Sequence, residues 1–333
     1  FEEIEEPTIG DDEFLVRVKA ATVCATDIRI YTYGDPRVKL PRILGHEFAG
    51  EIQKVGANLK NHLKAGMRVI VNPNMYCGRC RYCVTGRHEL CNSRYALGID
   101  VDGAFAEYIK IPPEAFKTGG VCEVPDNLSY EEAALVEPLS ACLHGQEFAH
   151  TGVGDIVAVI GAGPIGLMHI ALAKAIGASK VIVSEVDDER LKEAANFGAD
   201  YLINPLKEDL ASRVNEITDG QGADVVIVAV GSPVTQQQAL SIAAKGGRIN
   251  FFAGLPAGKE IVPLNTNLIH YRELFVFGTS SQSIYDFRKT LALVSSGVLN
   301  VKRFITHRFP LNEMTKAFEV ASSRGGLKVC INP

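Results

Sequence analysis

The sequence predicts an α/β chain of two domains. A mainly antiparallel β domain comes first, and a doubly wound parallel sheet follows. Three observations carry this reading. The 333 residues are more than one hydrophobic core usually serves. The first third breaks into short apolar runs punctuated by Gly and Pro. The middle alternates continuous apolar runs with helix-like segments, the pattern of a parallel sheet covered on both faces.

Composition narrows the classes. Hydrophobic residues at 47% and charged residues at 22% match an ordinary globular chain. A formal charge of -5 gives no general attraction to nucleic acid or an anionic membrane. No apolar run reaches bilayer-spanning length, and no signal-like segment opens the chain. The sequence starts at Phe1 in mid-pattern, which leaves room for a preceding stretch or a removed targeting peptide. Of the eight cysteines, four crowd into Cys77–Cys91. Without a secretory signal, such a cluster reads as metal ligands rather than disulfides, and the expected compartment is the cytosol.

Strands are expected in the first third at Phe14–Val18, Glu47–Val55, Arg68–Val71 and Phe105–Ile111, with little helical periodicity. Buried-type strands then recur at Ile156–Ile160, Val181–Glu185, Asp224–Val230, Arg248–Phe252 and Glu273–Phe277, with a weaker one at Tyr201–Ile203. Helices are expected between them at Pro164–Ile176, Asp188–Phe197, Lys207–Thr218 and Val234–Ala244. The tail carries amphipathic helices at about Ile284–Ser295 and Leu311–Ser322 and a strand at Lys328–Ile331. It is expected to pack back on the first domain.

Ile156–Ile160 runs into Gly161-Ala-Gly163-Pro164-Ile165-Gly166 and then a helix. This is the G-x-G-x-x-G turn of a Rossmann dinucleotide site. Gly161 makes the turn, Gly163 lets a pyrophosphate approach, and Gly166 lets helix and strand pack. The helix N-terminus offers free N–H groups to the phosphates. The next strand ends in Glu185, placed to bind the adenosine ribose hydroxyls and to repel the extra phosphate of NADP. Asp187 and Asp188 would add to that field, so NAD is the expected cofactor. Pro164, Ile165 and Arg190 complete the candidate contacts.

Cys77, Cys80, Cys83 and Cys91 have the spacing C-x2-C-x2-C-x7-C. Four thiolates can close a tetrahedral shell around zinc with no open position, so this site is expected to be structural. Arg79, Arg81 and Arg87 would offset the thiolate charge. An iron–sulfur cluster, disulfides or free thiols are the alternatives.

Cys24-Ala-Thr26-Asp27, Gly45-His46-Glu47, the cysteine loop, Gly103-Ala-Phe-Ala-Glu-Tyr108, Glu137-Pro-Leu-Ser140 and the glycine turn occur in that order. Their order and spacing resemble the zinc-containing medium-chain dehydrogenase/reductase family over nearly the whole chain. Glu137-Pro-Leu-Ser140 looks most like the sorbitol (polyol) branch, with threonine dehydrogenases nearby. The resemblance implies a GroES-like catalytic domain over 1–137 and 279–333 and a Rossmann domain over 138–278. It implies an active site in the cleft between them and a homodimer or homotetramer, with pairing of the last Rossmann strands as one route.

By position, the resemblance makes Cys24, His46 and Glu137 ligands of a catalytic zinc, the last directly or through water. Glu47 becomes an alternate ligand. Asp27 becomes the acid that orients the histidine, and Thr26 the hydroxyl that passes the substrate proton outward. The implied reaction moves hydride from a secondary alcohol to NAD. The expected substrate is a polyol or sugar alcohol, with or without a phosphate. Threonine or an amino alcohol is the alternative, and a non-catalytic dinucleotide-binding homologue is a further one. A nucleic-acid-binding zinc module is disfavoured by net acidity.

The resemblance frays at two places. Many relatives have a histidine five residues after the ligand cysteine. Arg29 stands here and is a poor relay, though it could bind a cofactor phosphate or an anionic substrate. Sorbitol dehydrogenases carry Phe-Arg beyond the last Rossmann strand. Here the stretch reads Phe277-Gly-Thr279-Ser280-Ser281-Gln282, which is read as a plain turn.

Overall fold

The computed structural model describes residues 2–323 and 325–333. Its internal contacts divide the chain into two units, residues 1–140 with 282–333, and residues 141–281. The second unit is therefore an insertion into the first along the chain.

The first unit is built on β1 (Phe14–Thr22), β2 (Glu47–Val55), β3 (Arg68–Val71), β4 (Asn74–Met75), β5 (Tyr95–Ala96), β6 (Tyr108–Ile111) and β7 (Val121–Glu123). β1 buries nearly every residue, because strands flank it on both sides. Along one side, β2 pairs from Phe14↔Val55 to Thr22↔Glu47. Along the other, β6 takes the first half of β1, with Phe14 opposite Ile111. Phe14, Val16, Phe48, Ile52, Val69 and Ile109 fill the core below. Ser129 caps Tyr130–Ala134 through a capping box with Glu132, and the helix Val136–Phe148 follows.

The second unit contains a six-stranded parallel sheet. Its strands are β8 (Ile156–Ile160), β9 (Lys180–Ser184), β10 (Tyr201–Ile203), β11 (Ala223–Val228), β12 (Ala243–Asn250) and β13 (Phe275–Phe277). The spatial order is β10-β9-β8-β11-β12-β13, with every pairing parallel. The reversal of order at β8 puts the glycine turn at the switch point, where such sheets bind ligands. Pro164 opens the helix Pro164–Ile176 at N1, and Gly177 closes it in the left-handed conformation at φ 104°.

The tail returns to the first sheet. β14 (Ile305–Pro310) and β15 (Lys328–Asn332) pair in parallel, and β15 joins β1 through Ala21↔Ile331 and Thr22↔Cys330. The order β14-β15-β1-β2-β3-β7 thus closes with the last strand beside the first. A mainly antiparallel β sheet and a six-stranded parallel sheet form the two units, as the sequence predicts. Among the described residues, no helix is long and apolar enough to cross a membrane.

Candidate metal centre and dinucleotide site

Cys24 ends the strand region after β1 and caps the helix Ala25–Tyr33, while His46 and Glu47 stand at the entry to β2. The β1–β2 pairing brings the two segments together. One ligand atom from each of Cys24, His46 and Glu47 falls within 4.8 Å of the others. A sulfur, an imidazole and a carboxylate on one point form a donor set suited to a transition metal.

Asp27 is fully buried and braces the group. Its Oδ2 accepts from Cys24 N at 2.9 Å, and its Oδ1 accepts from Gly45 N at 3.3 Å. The same Oδ1 lies 3.2 Å from His46 Nδ1, a charge contact without hydrogen-bond alignment. Burial disfavours a charged His46, but Asp27 and Cys24 outweigh it and raise its pKa well above the ordinary value. With Nδ1 turned to Asp27, Nε2 is the nitrogen left for a metal.

Glu47 carries no exposed surface. Its Oε2 accepts from Thr22 Oγ1 and from Lys328 Nζ. Its Oε1 is buried without a hydrogen-bond partner. An orphaned, buried carboxylate oxygen beside a cysteine and a histidine is costly unless a cation meets it. That atom is the observation by which the residues fit a metal. Lys328 also donates to Val23 O at 2.9 Å. Sequence reading sees Lys328 only as a strand residue, because its partner lies 281 positions away.

Glu137 lies outside the three-residue group, in the first turn of Val136–Phe148. Its Oε1 accepts from Gln282 Nε2 at 2.9 Å. Burial pushes its carboxyl up to about 7, with His46 pulling down and Glu47 pushing up, so it shares their electrostatic neighbourhood. Thr26 is partly exposed on the helix that Cys24 caps. Arg29 is committed elsewhere. Its Nη2 holds Asp35 Oδ2 at 2.8 Å, beside Arg37 on the same carboxylate. The Arg37 and Arg29 guanidinium groups keep the Asp35 carboxyl well below the usual range.

The other four cysteines of interest also converge. The ligand sulfurs of Cys77, Cys80, Cys83 and Cys91 lie within 4.8 Å of one another. Cys77 and Cys83 Sγ are 4.0 Å apart, and Cys80 and Cys83 Sγ are 3.6 Å apart. A tetrahedron with zinc–sulfur bonds of about 2.3 Å has edges of roughly 3.8 Å. A disulfide needs about 2.05 Å, and all eight cysteines are free thiols. The spacing fits one ion and is tight for a multi-iron cluster. Backbone N–H groups stabilise the thiolates. That of Cys83 leads in lowering Cys80 to about 6, while burial raises Cys83 to about 12. Arg87 pairs with Glu89 and Arg81 lies over the Tyr82 ring, so these cations do not simply offset the sulfurs.

At the dinucleotide turn, Gly161 has φ 102°, a conformation that side chains rarely adopt. A Cβ on Gly166 would overlap the Gly161 carbonyl. A Cβ on Gly163 would meet nothing nearer than Arg190 Nη1 at 3.9 Å, so that face is open to a phosphate. Glu185 is locked in place. Its Oε2 accepts from Ala162 N at 2.8 Å, and its Oε1 from Val186 N at 2.8 Å and Asp187 N at 3.2 Å. Pro164 and Ile165 form the first turn of the following helix. The acidic field expected from Asp187 and Asp188 is weaker than the sequence suggests. Asp187 caps the helix Asp188–Asn196, and Asp188 pairs with Lys207 and Asn204.

The chain is similar to known dehydrogenases along most of its length. Residues 10–126 match the alcohol dehydrogenase GroES-like domain, and residues 164–296 match the zinc-binding dehydrogenase domain. An L-threonine 3-dehydrogenase of Caldanaerobacter subterraneus subsp. tengcongensis is 38% identical over 99% of this chain and 94% of its own. A sorbitol dehydrogenase of Bacillus subtilis is 37% identical over 95% of this chain and 88% of its own. A zinc-binding dehydrogenase of Sinorhizobium meliloti 1021, solved bound to NADP, superposes with a TM-score of 0.89 at 33% identity. It covers 98% of this chain and 94% of its own.

Proposed function

The chain belongs to the zinc-containing medium-chain alcohol dehydrogenase family, and on that premise we propose that it oxidises a secondary alcohol bearing a neighbouring amino or hydroxyl group. It is a zinc-dependent, NAD(P)-linked dehydrogenase acting on a CH–OH group. L-threonine is placed ahead of polyols as substrate, because L-threonine 3-dehydrogenases recur among the similar curated proteins. This revises the polyol leaning of Glu137-Pro-Leu-Ser140. The sorbitol dehydrogenase at 37% identity keeps polyols as a second reading.

The observation that carries the proposal is the convergence of Cys24, His46 and Glu47 on one point with Asp27 behind them. A zinc ion held there would supply a Lewis acid that eases loss of the alcohol proton. The charge of Asp27 beside Nδ1 raises the basicity of the His46 ring. Thr26 Oγ1 is the proposed first acceptor of the alcohol proton. Glu137, in the electrostatic neighbourhood of His46 and Glu47, is proposed to complete the metal's surroundings.

NAD is proposed over NADP because the Glu185 carboxylate is pinned where the adenosine ribose hydroxyls bind. The open edge of β13, with Phe275 65% exposed, supports a homodimer formed by edge pairing. Light scattering reading one chain mass in solution would remove the dimer.

The deciding experiment measures reduced-NAD formation with L-threonine and with C4–C6 polyols and their phosphates, with and without chelator. The expected result is the highest kcat/KM on L-threonine, lost on metal removal. A polyol winning the panel overturns the substrate. Silence on every alcohol with zinc loaded overturns the catalytic assignment.

A further inference from the structure

Gln282 sits in the stretch that sequence reading treats as a plain turn, yet it is 1% exposed. A buried amide in a featureless turn has a task. Its Nε2 donates to Glu137 Oε1 at 2.9 Å. This contact turns the amide nitrogen toward the Glu137 carboxyl. The carbonyl of the same residue accepts from Tyr76 Oη at 2.8 Å.

Gln282 is anchored on both flanks. The next residue, Ser283, caps the helix Ile284–Ser295 in a closed box with Asp286, with Ser283 N to Asp286 Oδ2 at 2.7 Å. Ile284 packs with Tyr76, Cys83 and Cys91 in one small buried cluster that also touches Cys77 and Cys80. Tyr76 precedes the first of those cysteines in sequence and is itself 1% exposed. A continuous packed path therefore runs from the four-cysteine loop through Tyr76 and Ile284 to Gln282, and from the Gln282 amide to Glu137.

We infer that Gln282 is a positioning residue that transmits the folded state of the four-cysteine loop to Glu137. The inference rests on the proposed place of Glu137 beside the catalytic metal. With Oε1 held by the amide, rotation of the carboxylate is restrained. Loss of metal from the loop would loosen Tyr76 and Ile284 and release that hold, so the structural metal would govern the catalytic one through this amide.

The test uses the holoenzyme with its catalytic zinc exchanged for cobalt(II), whose visible absorption reports the metal's surroundings. Gln282→Met keeps the volume and removes the donor. Tyr76→Phe leaves the Gln282 side chain intact and removes its backbone anchor, and covers the case in which the first variant does not fold. Glu137→Gln is the reference. Gln282→Met is expected to shift the cobalt bands in the same sense as Glu137→Gln, and to speed metal loss to chelator. It should lower kcat by about tenfold or more with little change in KM, the loss expected for one hydrogen bond to a charged group. Tyr76→Phe should move the same bands less far. A Gln282→Met enzyme with wild-type bands and kcat, while Glu137→Gln alters both, overturns the inference and spares the reading of Glu137. A Glu137→Gln enzyme with wild-type bands overturns that reading, and the inference with it.

Discussion

The Lys328 ammonium and the Glu47 carboxylate form a buried ion pair, with side chains 5% and 0% exposed, between strands 281 positions apart in sequence. Burial alone would discharge Lys328. The negative charges of Glu47, Cys24 and Asp27 outweigh it and hold its pKa above the ordinary lysine range. Removing one partner strands a buried charge, which typically costs about 3–5 kcal/mol. Lys328→Met is therefore expected to lower the unfolding free energy by about that much. The double variant Lys328→Met, Glu47→Gln should recover a large part of it. Denaturant titrations of the four combinations check this, and additive losses would show the pair uncoupled.

Glu185 accepts three backbone N–H groups, one from Ala162 in the glycine turn and two from Val186 and Asp187 that follow it. On the proposed reading it meets the ribose hydroxyls, and these three contacts oppose its swinging aside for a phosphate. Glu185→Ser is expected to cut kcat/KM for NAD by roughly 10- to 100-fold, the value of one or two charge-assisted hydrogen bonds. It should also raise the NADP to NAD preference ratio. Steady-state kinetics with both cofactors measure it. An unchanged ratio would remove Glu185 from cofactor choice.

The two metal groups should part company under chelation. The four-thiolate group is closed, whereas the Cys24, His46 and Glu47 group has fewer protein ligands. A chelator time course is expected to release one zinc with loss of activity and little unfolding. The second zinc should leave later, together with a fall in Tm. Cys83→Ser should retain one zinc per chain at most and melt well below the parent, because Cys83 packs with Tyr76 and Ile284. Metal counting and circular dichroism along the time course decide it.

His169 is fully buried, edge-on to the Phe252 ring at 4.5 Å and within 3.3 Å of the Gln146 amide. Burial lowers its pKa to about 3. In the unfolded chain a histidine titrates near 6.5. The folded state therefore binds this proton less readily. The stability owed to neutral His169 is complete above about pH 6.5 and is lost as pH falls from there toward 3, at up to about 1.4 kcal/mol per pH unit. His169→Gln should flatten the stability profile between pH 6.5 and 4.5 by up to that slope. Denaturant midpoints at several pH values test it. Parallel profiles would show that the ring titrates freely.

Local pattern made much of this legible. β2, β3 and the helix Pro164–Ile176 have the bounds that their apolar runs and their Gly and Pro punctuation imply. The helix Ala25–Tyr33 hides because Thr, Ile and Tyr dominate it and no strong stripe forms. β12 starts at Ala243, five residues before the expected Arg248, because Gly246 and Gly247 look like breakers. The candidate ligand residues could be found through motif order. Their supports could not. Lys328 and Gln282 meet Glu47 and Glu137 across 281 and 145 positions, and no periodicity encodes such a meeting.

The insertion of residues 141–281 between the two parts of the first unit has a consequence for biogenesis. A ribosome delivers Cys24, His46 and Glu47 first, then the entire inserted sheet, and only afterwards β15 with Lys328. Until β15 docks beside β1, the Glu47 carboxylate lacks its counter-charge and the nascent centre is incomplete. The grouping of Cys24, His46 and Glu47 with its lysine counter-charge is thereby completed only after the inserted sheet has been made, whereas the cysteine loop has all its sulfurs as soon as Cys91 emerges.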